Sequence, residues 1–164
     1  RMGGMQIHAT NDFAAPVDEV FVMLIDRVFL RAVCLATDPL EHQVEVDGLR
    51  TATRRVMPTP SVVARLTGPT MAVVDEITWE PSVVEGVRRG AAHITVEGLP
   101  AELVGAVTLL PGGSGSVLTY DGELSVKVPL LGPGLARQAA PLLLEALEIQ
   151  QRVGAEYLAG RGAP

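Results

Sequence analysis

Cysteine is almost missing: Cys34 is the only one among 164 residues. An intrachain disulfide and a cysteine-rich metal site are therefore both excluded. Cys34 falls in an apolar helical run, where a buried and inert thiol is expected. Lysine is equally rare, since Lys127 is the only one among 13 basic residues. With the richness in Ala, Gly and Val, that skew reads as the bias of a GC-rich genome, so abundant arginine is no argument for anion binding. The three histidines, His8, His42 and His93, show neither HxH nor HExxH spacing, and no metal is expected. Hydroxyls lack a GxSxG elbow, which leaves a hydrolase triad unsupported. No apolar run approaches the ~18 residues of a membrane span, and no charged stretch followed by an apolar one opens the chain. A soluble cytoplasmic protein without a membrane span is the expectation.

Hydrophobic residues make up 48% of the chain and charged ones 20%, an ordinary globular balance. The net charge of −6 repels phosphate backbones and argues against a nucleic-acid partner. One domain is expected over residues 5–160, with residues 1–4 appended ahead of a start at Met5 and 161–164 as a tail.

The longest pattern is the run Gly134–Gly160. Leu135, Ala139, Leu142, Ala146, Ile149, Val153 and Tyr157 recur at spacings of three and four, and Ala140, Leu143, Leu147 and Leu158 widen the stripe. Arg137, Glu145, Glu148, Arg152 and Glu156 gather opposite. This predicts a helix of roughly 40 Å, long enough to lie across a whole sheet, with Pro141 bending it between Arg137 and Leu144.

Ahead of it, Met5–Phe13 alternates as a strand, and Pro16 opens a short helix reaching Asp26. Phe29–Thr37 makes a second helix. From Leu40 the period drops to two, with Leu40, His42, Val44 and Val46 inward and Asp47-Gly48 as a hairpin turn of type I′. The facing of the return strand Leu49–Met57 stays open. A two-residue loop sends Thr51, Thr53, Arg55 and Met57 inward, whereas one more loop residue chooses Ala52, Arg54 and Val56. The second set buries more apolar surface and is preferred on that ground. Ser61–Leu66 is expected as a helical turn, and strands follow over Met71–Trp79 and Val84–Val96, the latter ended by Leu99-Pro100. A further strand carries Leu103 to Leu109, and the last covers Val117–Val128. Gly112-Gly113-Ser114-Gly115 joins two strands rather than opening a helix, so it reads as a hairpin and not a phosphate loop. Strands in close succession with helices on one side make an α+β fold built on an antiparallel meander.

The segments PVDEVFVMLIDRVFLRAVCLATD from Pro16, RRVMPT from Arg54, DGELSVKVPLLG from Asp121 and the final QQRVGAEYLAG resemble the START-like, or birch-pollen-allergen-like (SRPBCC), superfamily of polyketide cyclases and lipid-transfer domains. The likeness is greatest to an uncharacterised bacterial branch of it. The resemblance implies a helix-grip fold: a bent seven-stranded antiparallel sheet around a long C-terminal helix, with an apolar cavity between them. Lipids, sterols, polyketide intermediates or plant hormones occupy that cavity in the superfamily.

Several residues on the expected inner faces carry polar chemistry. His42 is the one histidine expected to point inward. Asp75 sits among Met71, Val73, Ile77 and Trp79, where a carboxyl must be paired, hydrated or neutralised, unless a bulge turns it outward. Arg54 or Arg55 is its candidate partner, or the anchor for a substrate carboxylate. Trp79 and Tyr120 could offer polar tips to a ligand. Leu143 and Ala146 would roof the cavity. No residue stands out as catalytic and no cofactor is implied. The favoured reading is a binding or carrier protein for a small hydrophobic molecule. The alternatives are a cyclase or aromatase acting on a polyketide-like chain, and an interaction protein, with a homodimer as one form, whose grip is packed with side chains.

Overall fold

The computed structural model describes residues 4–61 and 63–161, without the side chain of Arg161. Residues 1–3, Val62 of the expected helical turn and the tail 162–164 lie outside the described residues. The chain opens with β1 (Met5–Phe13), then α1 (Val17–Leu24) and α2 (Arg27–Ala36). A hairpin of β2 (Glu41–Asp47) and β3 (Arg50–Pro58) leads through the short α3 (Ala64–Thr67) to β4 (Thr70–Trp79). The meander continues with β5 (Arg88–Val96), β6 (Leu99–Gly112) and β7 (Gly115–Val126), and α4 (Gly132–Arg161) closes the fold.

Local chemistry sets the helix ends. Pro16, at φ −63°, stands just ahead of α1, whose first turn carries Asp18 and Glu19 at the positive end of the helix dipole. Asp26 caps α2 by accepting a 2.8 Å hydrogen bond from the Val28 amide, which satisfies one of the orphan donors there. All seven strands form one antiparallel sheet in the order β1-β7-β6-β5-β4-β3-β2. This is the α+β helix-grip arrangement: a seven-stranded antiparallel sheet with a long C-terminal helix packed on it.

Four local expectations are corrected. The β2–β3 turn is Gly48-Leu49, with Asp47 paired to Arg50 and positive φ only at Gly48 (59°), rather than a type I′ turn over Asp47-Gly48. The two-residue loop therefore sends Thr51, Thr53 and Arg55 inward and Arg54 outward. The strand expected from Val84 begins only at Arg88, because Glu85 (φ 54°) and Gly86 (φ 77°) fold residues 84–87 into a tight turn bridged between Val84 and Val87. Leu99-Pro100 starts β6 instead of ending β5; Pro100 needs no amide there, and its carbonyl accepts from the Lys127 amide at 2.8 Å.

The fourth correction concerns α4. Ala136, Ala140, Leu143, Leu147, Gln150 and Gly154 face inward, while Leu142 is 49% exposed. The close approach at Gly154 explains the rotation. A Cβ there would stand 2.4 Å from Phe13 Cε1, so only glycine lets the helix settle against β1. Pro141 falls on the exposed side of an unbroken helix.

A cavity between the sheet and the C-terminal helix

Two clusters of buried side chains flank the middle of α4. Towards its C-terminal end, Phe13, Val20, Met23, Phe29, Trp79, Val107, Leu118 and Val153 pack together. Towards its N-terminal end, Ile7, Leu103, Leu124, Val126, Leu135, Ala136 and Ala140 form the second cluster. Between them the inner sheet face carries a row read straight across six strands by pairing: Ile7, Gly122, Gly105, Ala92, Ile77 and Thr51. Three adjacent members of that row have little or no side chain, so the sheet has nothing to fill the space under Leu143, Ala146 and Leu147. The glycines are also sterically required, since a Cβ on Gly105 would meet the Asp121 carbonyl oxygen at 2.4 Å. A partly open cavity of about 100 Å³ results.

Its wall is mostly apolar, with Ile7, Leu30, Val33, Val73, Ile77, Ile94 and Leu103 contributing. Against it stands a compact polar group: Cys34 from α2, Thr53 and Arg55 from β3, Asp75 from β4, Tyr120 from β7 and Gln150 from α4. Burial pushes the Asp75 carboxyl up from 3.8 to about 6; the charge of Arg55 opposes this and that of Glu76 adds to it. Burial likewise raises the Tyr120 phenol, and Gln150 partly offsets the effect by donating to the phenol oxygen at 2.8 Å. Gln150 also donates to Asn11 Oδ1 at 2.9 Å, and Asn11 in turn donates to the Leu147 carbonyl at 3.1 Å, which ties the helix to β1. The Cys34 thiol is raised chiefly by burial, against the charge of Arg55 and a hydrogen bond with Thr53, so it remains a thiol.

Of the residues expected at the site, Asp75, Tyr120, Leu143 and Ala146 come together around this cavity. His42 lies on the inward side of β2, half-buried beside its pairing partner Arg55, but does not line the cavity. Trp79 is buried in the larger cluster, edge-on to Phe21 with ring centroids 5.4 Å apart. Its Nε1 has no partner among the described residues and it does not reach the cavity. Arg54 points to the outer face, where its guanidinium donates to both carboxylate oxygens of Glu97 at 2.9 and 2.8 Å. Arg55 takes the inward position instead. Sequence reasoning expected Cys34 to be buried, as it is, without placing it on a cavity wall, and it passed over Gln150, although Gln150 interrupts the apolar positions that face the sheet at Leu147 and Gly154, which is a readable signal.

Among the described residues no cluster of His, Cys, Asp or Glu could hold a metal ion, and no helix is long and apolar enough to cross a membrane. Comparison with protein families matches residues 8–158 to a protein family of unknown function, DUF2505. The chain belongs to that family. Comparison with curated proteins finds no match. Among solved structures, a Thermus thermophilus protein is similar at 19% identity and TM-score 0.67, over 97% of this chain and 100% of that one. A STAR-related lipid transfer protein of Xanthomonas axonopodis shares 15% identity at TM-score 0.59, covering 94% of this chain and 85% of its own. A START superfamily protein from Mycobacterium smegmatis shares 14% at TM-score 0.59, covering 95% and 99%. DUF2505 thus has the START-like fold in this chain, as the resemblance of its segments implied.

Proposed function

We propose that the protein binds a small, mostly apolar molecule in the cavity between the sheet and α4, as a carrier rather than a catalyst. The carrying observation is the row Gly122, Gly105 and Ala92, which keeps a hollow open where ordinary side chains would close the core. The apolar wall favours hydrocarbon, and the polar group at one side of it would orient the ligand. The lipid-transfer name of the Xanthomonas relative accords with this reading. At about 100 Å³ the space suits a compact ligand; drug-sized ligands usually occupy roughly 300–1,000 Å³. A longer chain would have to extend through the open side.

Calorimetric titration with 1-hexanol tests the reading. Saturable one-to-one binding with a negative heat-capacity change is expected, and Ala146→Phe, which fills the hollow, removes it. Absence of binding, or binding undiminished in Ala146→Phe, overturns it.

One observation favours a second reading. Asp75, pushed up to about 6, and Tyr120 share the cavity, a combination suited to proton transfer in a cyclase-type reaction. Under that reading Asp75→Asn abolishes turnover of a polyketide-like substrate while hexanol binding persists; under the carrier reading no turnover exists to lose.

A further inference from the structure

The three arginines of β3 have different circumstances. Arg50 is held on the outer face by the carboxylates of Glu45 and Glu76. Arg54 is held there by the fork-to-fork pair with Glu97. Arg55 points the other way, into the cavity, and no hydrogen bond or ion pair reaches it among the described residues. Its guanidinium is half-buried at the cavity wall with no nitrogen sealed from solvent, so a partner supplied from outside can reach it, and the partial burial strengthens the pairing over that of a fully exposed arginine.

Asp75 is not that partner in contact. It lies opposite Thr53, and Arg55 lies opposite Val73, so the two charges stand on adjacent strands two positions apart. They feel each other's charge without forming an ion pair. The Tyr120 oxygen accepts from Gln150, which leaves its own O–H free to donate into the cavity. The cavity therefore offers a guanidinium fork, a phenolic donor and a carboxyl raised far enough to take up a proton beside a second carboxylate.

Resting on the reading of the cavity as a binding site, we propose that its ligand is a carboxylic acid, with the carboxylate on Arg55 and a short apolar body against the sheet and α4. A guanidinium matches the two oxygens of one carboxylate in plane. A phosphate dianion fits poorly, because one arginine would face two charges with the Asp75 carboxyl lining the same cavity.

The experiment is a paired titration of the full chain with hexanoate and 1-hexanol near neutral pH, read by calorimetry. Hexanoate is expected to bind about tenfold tighter or more, the worth of a charge-assisted hydrogen bond. Arg55→Met is expected to erase that difference, and Arg55→Lys to retain part of it. Equal binding of the two probes, or preference for the alcohol, overturns the acid while leaving the cavity reading intact. Binding of neither overturns the cavity reading itself. The wild-type comparison decides the matter without any variant having to fold.

Discussion

The two ends of α4 are held by different means. At the C-terminal end, Val153 and Gly154 press against Phe13 and Met23, Tyr157 stacks edge-on to Phe29 at 5.9 Å, and its hydroxyl donates to Asp26, the residue that caps α2. At the N-terminal end the contacts are Leu135 and two alanines against Ile7, Leu103, Leu124 and Val126, with no aromatic ring. The cavity lies where the first kind of packing gives way to the second. Large interlocked side chains fix one end of the helix, and small ones leave the other with less to lose when a ligand enters.

The largest effect should therefore come from the aromatic end. Phe13→Ala, at a site 1% exposed, is expected to cost about 3–5 kcal/mol in urea unfolding, against about 2 kcal/mol for Leu135→Ala. Equal costs, or the reverse order, would break the contrast between the ends.

Next in size is Asp75, in the seam between them. Its carboxyl binds a proton more readily in the folded chain than in the unfolded one, so its contribution to stability is greatest below about pH 4 and is lost as pH rises through about 6. Asp75→Asn should flatten that slope and add on the order of 1–3 kcal/mol at neutral pH. A slope unchanged by the substitution would place the titration elsewhere.

Tyr157→Phe keeps the ring against Phe29 and removes only the hydroxyl bonded to Asp26. A loss of about 1 kcal/mol is expected in the same unfolding assay, and no loss would mean that the ring alone secures the C-terminal end. The smallest effect belongs to Arg54→Gln, which breaks a solvent-screened surface pair of little worth to stability and leaves hexanoate binding unchanged. A binding defect there would undo the assignment of Arg55 as the inward arginine.

Much of this frame was legible in the sequence. Period-two alternation gave the inner residues of β4 and β6, and Asp75 does stay among them without a bulge. What failed were places where a single residue decides facing. The apolar count along β3 favoured Ala52, Arg54 and Val56, yet the turn at Gly48-Leu49 set the register and turned a polar set inward. Rotation of α4 was hidden for a similar reason: Leu142 looks like the centre of the stripe, but contact at Gly154 and the alanines brings their side closest to the sheet. The hollow itself left a trace in Gly105, Gly122 and Ala92, which becomes readable only once strand pairing puts the three side by side.

The central claim is that small molecules enter the space beneath this row and nowhere else. Methyl NMR during a hexanoate titration tests it most directly. Shifts confined to Ala92, Leu103, Leu143, Ala146 and Leu147, with Leu130 and Leu142 on the surface unmoved, are predicted. Shifts centred on the surface leucines, or none along the cavity wall, would contradict it.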